Sequence, residues 1–157
     1  MAFRLRRKKT VSNEEFWNRL EQDLGRPILA KALGRYISGR GEPGPLWGLL
    51  YLTDTTLYFR HFAQTNWFTA LTAADDPEAG EAGSGRNRNV LVEVSLAHIA
   101  AVERPSPAGF LGRFLSGPDT EYRLRSVYPE AEPIVISVEN ERETFVERLE
   151  QAINRRS

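Results

Sequence analysis

The run of residues 48–59, GLLYLTDTTLYF, constrains this chain more than any other stretch. Two apolar, aromatic-rich segments flank a short Thr/Asp turn. Aromatic and branched side chains suit a pleated sheet, and Thr and Asp oxygens can bond the backbone of a tight turn, so the run predicts a β-hairpin. Alternation puts Leu46, Gly48, Leu50 and Leu52 on one face of the first strand. In the second strand, about 56–62, Leu57, Phe59 and His61 share a face opposite Tyr58, Arg60 and Phe62. Late in the chain, PIVISV at 133–138 is a further strand signal, followed by a charged amphipathic segment. There Phe145, Leu149, Ala152 and Ile153 form one apolar stripe at helical spacing. Asn140 and Glu143 suit a cap at its start, and Arg155 and Arg156 suit the negative end of the helix dipole. A small barrel or sandwich closed by a C-terminal helix follows from these two regions.

The remaining stretches fill in around that frame. Ser12 and Glu15 fit a capping box, and Phe16, Leu20 and Leu24 follow at i, i+4 and i+8 with Trp17 beside them, which predicts a helix over 12–25 ended by Gly25 and Pro27. Residues 28–38 suit either a helix or a strand. Residues 39–45, GRGEPGP, form a loop. A strand is expected at 66–71. Residues 73–89 carry no aliphatic side chain larger than alanine and no aromatic, so they cannot bury apolar surface and are expected as a loop. Strands are expected at 90–94, 99–103, 121–128 and 133–138, with a second insertion at 105–118 and a turn at 129–132.

These residues carry a family resemblance. Gly48, Leu50, Tyr51, Leu52, Thr53, Leu57, Tyr58 and Phe59 resemble the second and third strands of GRAM and other pleckstrin-homology-like (PH-like) domains. The run VEVSLAHI at 92–99 resembles the family's strand followed by a Leu-x-x-Ile step, and 133–153 resembles its last strand and capping helix. The resemblance covers about 28–154 and makes Leu33–Ile37 a first strand. It implies an α+β, mainly antiparallel fold: a bent sheet or roll of about seven strands capped by a C-terminal helix. The expected organisation is a basic lead at 1–11, an extra N-terminal helix at 12–25, and a PH-like domain at 28–154 with insertions at about 73–89 and 105–118.

Charge and composition exclude several functions. The 21 basic and 21 acidic residues cancel, whereas a nucleic-acid binder usually shows a basic excess, so no nucleic-acid partner is expected. With no cysteine in the chain, disulfides, thiolate metal sites and cysteine nucleophiles are excluded. The basic start runs into TVSNEE rather than an apolar core, so no secretory signal is read there. The apolar-rich run at 46–52 falls well short of the ~20 residues that span a bilayer. A cytoplasmic location is expected, with peripheral placement at the inner face of the membrane under the lipid-binding reading below.

Catalytic and cofactor chemistry finds no support. Residues 39–44 match G-x-G-x-x-G, but Pro43 and Pro45 precede a strand-like run, so no helix opens to receive a pyrophosphate. His61 and His98 have no ligand-type spacing around them, and no G-x-S-x-G elbow occurs. His61 is expected in a packed or edge strand surface, and His98 on the turn before Ile99. Asp75 and Asp76 sit in the apolar-poor loop, where catalytic carboxylates would lack rigid placement. No enzyme activity, cofactor or metal is expected.

Binding is the remaining class, and a protein or peptide partner is the favoured reading. PH-like domains that bind phosphoinositides place several basic residues around the loop joining the first two strands. Here that region offers Arg35 and Arg40 with Glu42 adjacent, a competing acid that a phosphate clamp disfavours. The alternative is an anionic membrane. Arg4, Arg6, Arg7, Lys8 and Lys9 would supply weak attraction at about 1 kcal/mol each, and Phe110, Leu111, Phe114 and Leu115, at helical spacing on the second insertion, would supply an apolar contact. The plainer readings are a solvated tail for the first group and a cover over one open end of the barrel for the second. A third reading is homo-oligomerisation through Phe16, Trp17 and Leu20.

Overall fold

The computed structural model describes residues 12–63, 88–104, 120–139 and 144–156. Helix α1 spans Asn13–Leu24. The Ser12 hydroxyl accepts from the Glu15 N–H, and the Glu15 carboxylate accepts from the Ser12 N–H, so the capping box is complete. Gly25 ends the helix at φ 63°, a left-handed conformation that costs glycine nothing.

Seven strands follow: β1 (Ala30–Ser38), β2 (Leu46–Leu52), β3 (Thr56–His61), β4 (Val90–Ser95), β5 (Ile99–Glu103), β6 (Thr120–Ser126) and β7 (Ile134–Val138). A single 3-10 turn, Leu96–His98, joins β4 to β5, with His98 where the sequence places it. Helix α2 spans Thr144–Asn154. The sheet order is β4-β3-β2-β1-β7-β6-β5, with every neighbouring pair antiparallel. The chain runs outward from β1 to one edge, crosses at the 3-10 turn to the other edge, and returns inward, which curls the sheet into a half-barrel.

The β2–β3 turn forms as its composition requires. The Thr53 hydroxyl accepts from the N–H groups of Thr55 (3.4 Å) and Thr56 (3.1 Å), and the Thr53 N–H donates to the Thr56 carbonyl (3.0 Å). The inner face of the curl carries the main core: Tyr36, Leu50, Leu52, Leu57, Phe59, Val92, Val94, Leu124 and Ile136 meet Phe145, Val146, Leu149, Ala152 and Ile153 of α2. The expected helical stripe is all buried, and Val146 joins it. Each buried Phe, Val, Leu or Ile contributes about 1.5–3 kcal/mol of transfer free energy, so α2 is a substantial part of the core.

The outer face is not left to solvent. Phe16 and Leu20 of α1 pack on Leu49 and Tyr51, with Trp17, Leu24, Leu33, Tyr58 and Phe62 around them. That explains why β2 is buried continuously from Gly48 to Leu52 instead of alternating: core lies on one side and α1 on the other. Tyr51 stacks on Tyr58 at 4.9 Å and meets Trp17 edge-on, and burial pushes its phenol up to about 12.

Several strand ends differ from the sequence reading, most by one residue and three with a visible cause or consequence. β1 begins at Ala30 rather than Leu33, because residues 30–33 pair with Leu52–Leu49 of β2. β3 stops at His61, one residue before Phe62. β6 ends at Ser126 rather than Tyr128, because the Val127 N–H leaves the ladder and donates to the His98 carbonyl (3.0 Å). The expected strand at 66–71 and the Asn140/Glu143 cap lie outside the described residues.

Candidate interaction surface

The seam between the two ends of the curled sheet opens into a cleft of about 360 Å³. Its floor is apolar: Val94 from β4, Ile99 from β5, Leu124 from β6 and Ile134 from β7. Its rim is polar and comes from three connections. The β1–β2 loop supplies Arg40 and Gly41, the 3-10 turn supplies His98, and the β6–β7 turn supplies Tyr128 and Glu132, with Arg125 and Ser126 at the end of β6.

Local chemistry fixes each wall. Gly39, Arg40 and Gly41 have φ of 114°, 49° and 74°, three successive left-handed residues, two of them glycine. A Cβ on Gly39 would lie 2.9 Å from the Ile134 Cα and 3.1 Å from the Pro133 carbonyl. Only glycine therefore lets the β1–β2 loop lie against the start of β7, and that approach brings Arg40 to the cleft. The Arg88 guanidinium holds the Glu42 carboxylate at 2.7 Å and braces the same loop. Glu42 and Glu132 lie near enough to the fully buried Tyr36 that both reinforce burial, the larger cause, in raising its phenol pKa. The β6–β7 turn is set by the Ala131 N–H donating to the Tyr128 carbonyl and the Tyr128 N–H donating to the Ser126 hydroxyl, both 3.0 Å. The Tyr128 ring meets the His98 ring edge-on at 5.6 Å.

Val127 and Tyr128 remain 45 % and 51 % exposed. An apolar floor beneath a rim of mixed charge can take a side chain or a short chain segment, with the rim setting its orientation. Among the described residues no cluster of three or more His, Asp or Glu could hold a metal ion, and no helix is long and apolar enough to cross a membrane.

The residues nominated from sequence are distributed differently. Arg40 lies at the cleft, whereas Arg35 alternates with Gly34 and Tyr36 and so projects from the opposite face of β1. The two arginines do not form one clamp. Phe16 and Leu20 are buried against the chain's own sheet, and Trp17 is partly covered, with the Lys31 ammonium 4.6 Å from its ring centroid. Arg4, Arg6, Arg7, Lys8, Lys9, Phe110, Leu111, Phe114 and Leu115 lie outside the described residues. His61 is in an interior strand, paired on both sides, and its Nδ1 lies 2.6 Å from the Trp47 carbonyl. His98, Arg125, Tyr128 and Glu132 were not nominated as binding residues. The one available signal was the apolar pair Val127–Tyr128 set directly before the Pro129 turn.

The curled antiparallel sheet, its strand order and the plugging C-terminal helix define a PH-like fold. No protein-family model and no curated protein matches the chain. Among solved structures it is similar to the C-terminal domain of an unknown protein from Leishmania infantum, at 11 % identity and a TM-score of 0.54, covering 91 % of this chain and 99 % of that one. It is also similar to the Vps36 N-terminal PH domain, at 17 % identity and a TM-score of 0.49, covering 84 % and 82 % respectively.

Proposed function

We propose that this chain is a non-catalytic interaction module that receives a protein or peptide partner at the seam cleft. The observation that carries the reading is the exposure of Tyr128 on the rim of an apolar-floored cleft, with the exposed Val127 next to it in the chain. Adjacent apolar side chains left half in water beside a concave apolar surface are a pattern of binding sites. The PH-like fold, typically a scaffold for interaction rather than catalysis, supports the same reading. The mixed rim of Arg40, Arg125 and Glu132 favours a partner carrying both charges or neither over a polyanion.

A random peptide library displayed against the immobilised full chain tests this. Enriched sequences should bind Tyr128→Ala at least tenfold more weakly than the parent chain. No enrichment, or binders indifferent to Tyr128→Ala, would count against the cleft.

A further inference from the structure

We infer that the free edge of β4 is a strand-addition site for an extended partner peptide of alternating apolar pattern with a basic residue among its outward-facing positions. The inference rests on the interaction-module reading and supplies the partner's conformation and register.

The hydrogen-bond phase of the ladder comes first. The Thr53 N–H donates to the Thr56 carbonyl, and the Leu96 N–H donates to the Thr55 carbonyl (2.9 Å). Antiparallel ladders alternate hydrogen-bonded and non-bonded pairs. From the first contact, Thr56, Tyr58 and Arg60 bond toward β2, which leaves Leu57, Phe59 and His61 to bond toward β4. From the second, the bonded pairs of the next ladder are Leu57/Val94, Phe59/Val92 and His61/Val90. The two contacts agree. The N–H and C=O groups of Leu91, Glu93 and Ser95 therefore face the open side of β4. Among the described residues nothing pairs with that side.

A regular edge with three outward residues is a template for another strand. β4 has neither a proline nor a bulge to blunt it, and its register with β3 is unbroken over six residues. β5, at the other edge, carries a register break between Ile99 and Ala101.

Side chains select the occupant. Val90, Val92 and Val94 point into the core, and Val94 also floors the cleft. An added strand thus continues the inner face, and one of its inward side chains meets the cleft. On the outer face stand Leu91, 52 % exposed, and Glu93, the one charge on β4, with no ion-pair partner among the described residues. Cross-strand neighbours of opposite charge stabilise a pair of strands and like charges oppose it. A Lys or Arg beside Glu93, flanked by apolar residues, is the complement.

The probe is a capped heptapeptide with Val at odd positions, Thr at the second and sixth and Lys at the fourth, titrated into the isotope-labelled full chain. Expected is saturable binding in which the Leu91, Glu93 and Ser95 amides gain protection from exchange while those of Val90, Val92 and Val94 stay as they were. A Glu-for-Lys version of the peptide should bind several-fold more weakly, and Glu93→Lys should reverse that order. Leu91→Pro removes an N–H that β3 does not use; it should leave the chain folded and cut binding at least tenfold. Should that variant unfold, N-methylation of alternate peptide amides gives the same readout on the parent chain. Absence of binding, or peptide-induced protection confined to Val127 and Tyr128, overturns the inference; the latter result leaves the cleft reading intact. Protection of the three amides before peptide is added also overturns it, with a second copy as the occupant if the chain is then a dimer.

Discussion

Truncating Leu149 to alanine tests whether α2 plugs the half-barrel. Leu149 is fully buried at the centre of the α2 stripe, within the main core. Leu→Ala at such a site removes the transfer free energy of the lost carbons and leaves a cavity that the surroundings only partly close, about 3 kcal/mol within a usual range of ~2–5. With a urea m-value of about 2 kcal/mol/M, the unfolding midpoint should fall by roughly 1.5 M at unchanged m. Leu20→Ala in α1 makes the same chemical change against the outer face. Leu20 keeps 8 % exposure, and the expected loss is at the lower end, about 2 kcal/mol. Leu91→Ala, at an exposed position, should cost under about 0.5 kcal/mol. Circular dichroism and tryptophan fluorescence should report coincident transitions for all three. If Leu149→Ala moves the midpoint no further than Leu91→Ala does, α2 is not part of the core and the fold argument fails.

Two further predictions concern single contacts. Asp54 is held below its ordinary carboxyl value of 3.8, chiefly by the hydrogen bond from Arg26 (2.7 Å), with the Arg26 and Arg156 charges adding to it. A lowered carboxyl contributes stability that is present above 3.8 and lost as pH falls through the lower folded value. Asp54→Asn should therefore flatten that part of the stability profile below pH 4, and an NMR titration placing the Asp54 carboxyl at or above 3.8 would contradict it. Gly34→Ala would set a Cβ against the Ser137 carbonyl of β7 and 2.7 Å from the Leu50 Cδ1. Backbone cannot yield as a side-chain tip can, so a loss of about 1–3 kcal/mol in urea unfolding is expected, and a neutral result would mean that β1 and β7 lie further apart.

Much of the fold was legible because its signals are local. The GLLYLTDTTLYF hairpin, the Ser12/Glu15 box and the Phe145–Ile153 stripe each report their structure within about ten residues, since turn chemistry and side-chain periodicity act at that range. The start of β1 was not legible, because Ala30, Lys31 and Ala32 have no preference for strand and are recruited by Leu50–Leu52 across a long-range ladder. The outer core was half legible. Both Phe16–Leu20 and Leu49–Tyr51 read as apolar surface needing cover, but nothing local says that they cover each other. The cleft was the least legible part. Its lining comes from four stretches, 40–41, 94–99, 124–128 and 131–134, and none has a pattern of its own. Reading 121–128 as one strand also hid the turn that presents Tyr128.

The 3-10 turn serves both the core and the candidate site. In the 3-10 turn between β4 and β5, Leu96 is buried against the cluster that α2 completes, while His98 stands at the cleft against Tyr128. Three residues cannot move one side chain far without the other. α2 is also fixed at its far end, where the Arg156 Nε donates to the Asp54 carbonyl (3.0 Å), while Arg26 clamps the Asp54 carboxylate from the α1 side. Both helices thus converge on the β2–β3 turn, whose Thr55 carbonyl also accepts from the Leu96 N–H (2.9 Å) at the start of the 3-10 turn beside the seam. A partner entering the seam has no helix to displace, and it meets a wall whose position α2 already sets. The expected cost of binding is then small in backbone rearrangement, and the affinity of the cleft should track the integrity of α2 even though no α2 side chain lines it.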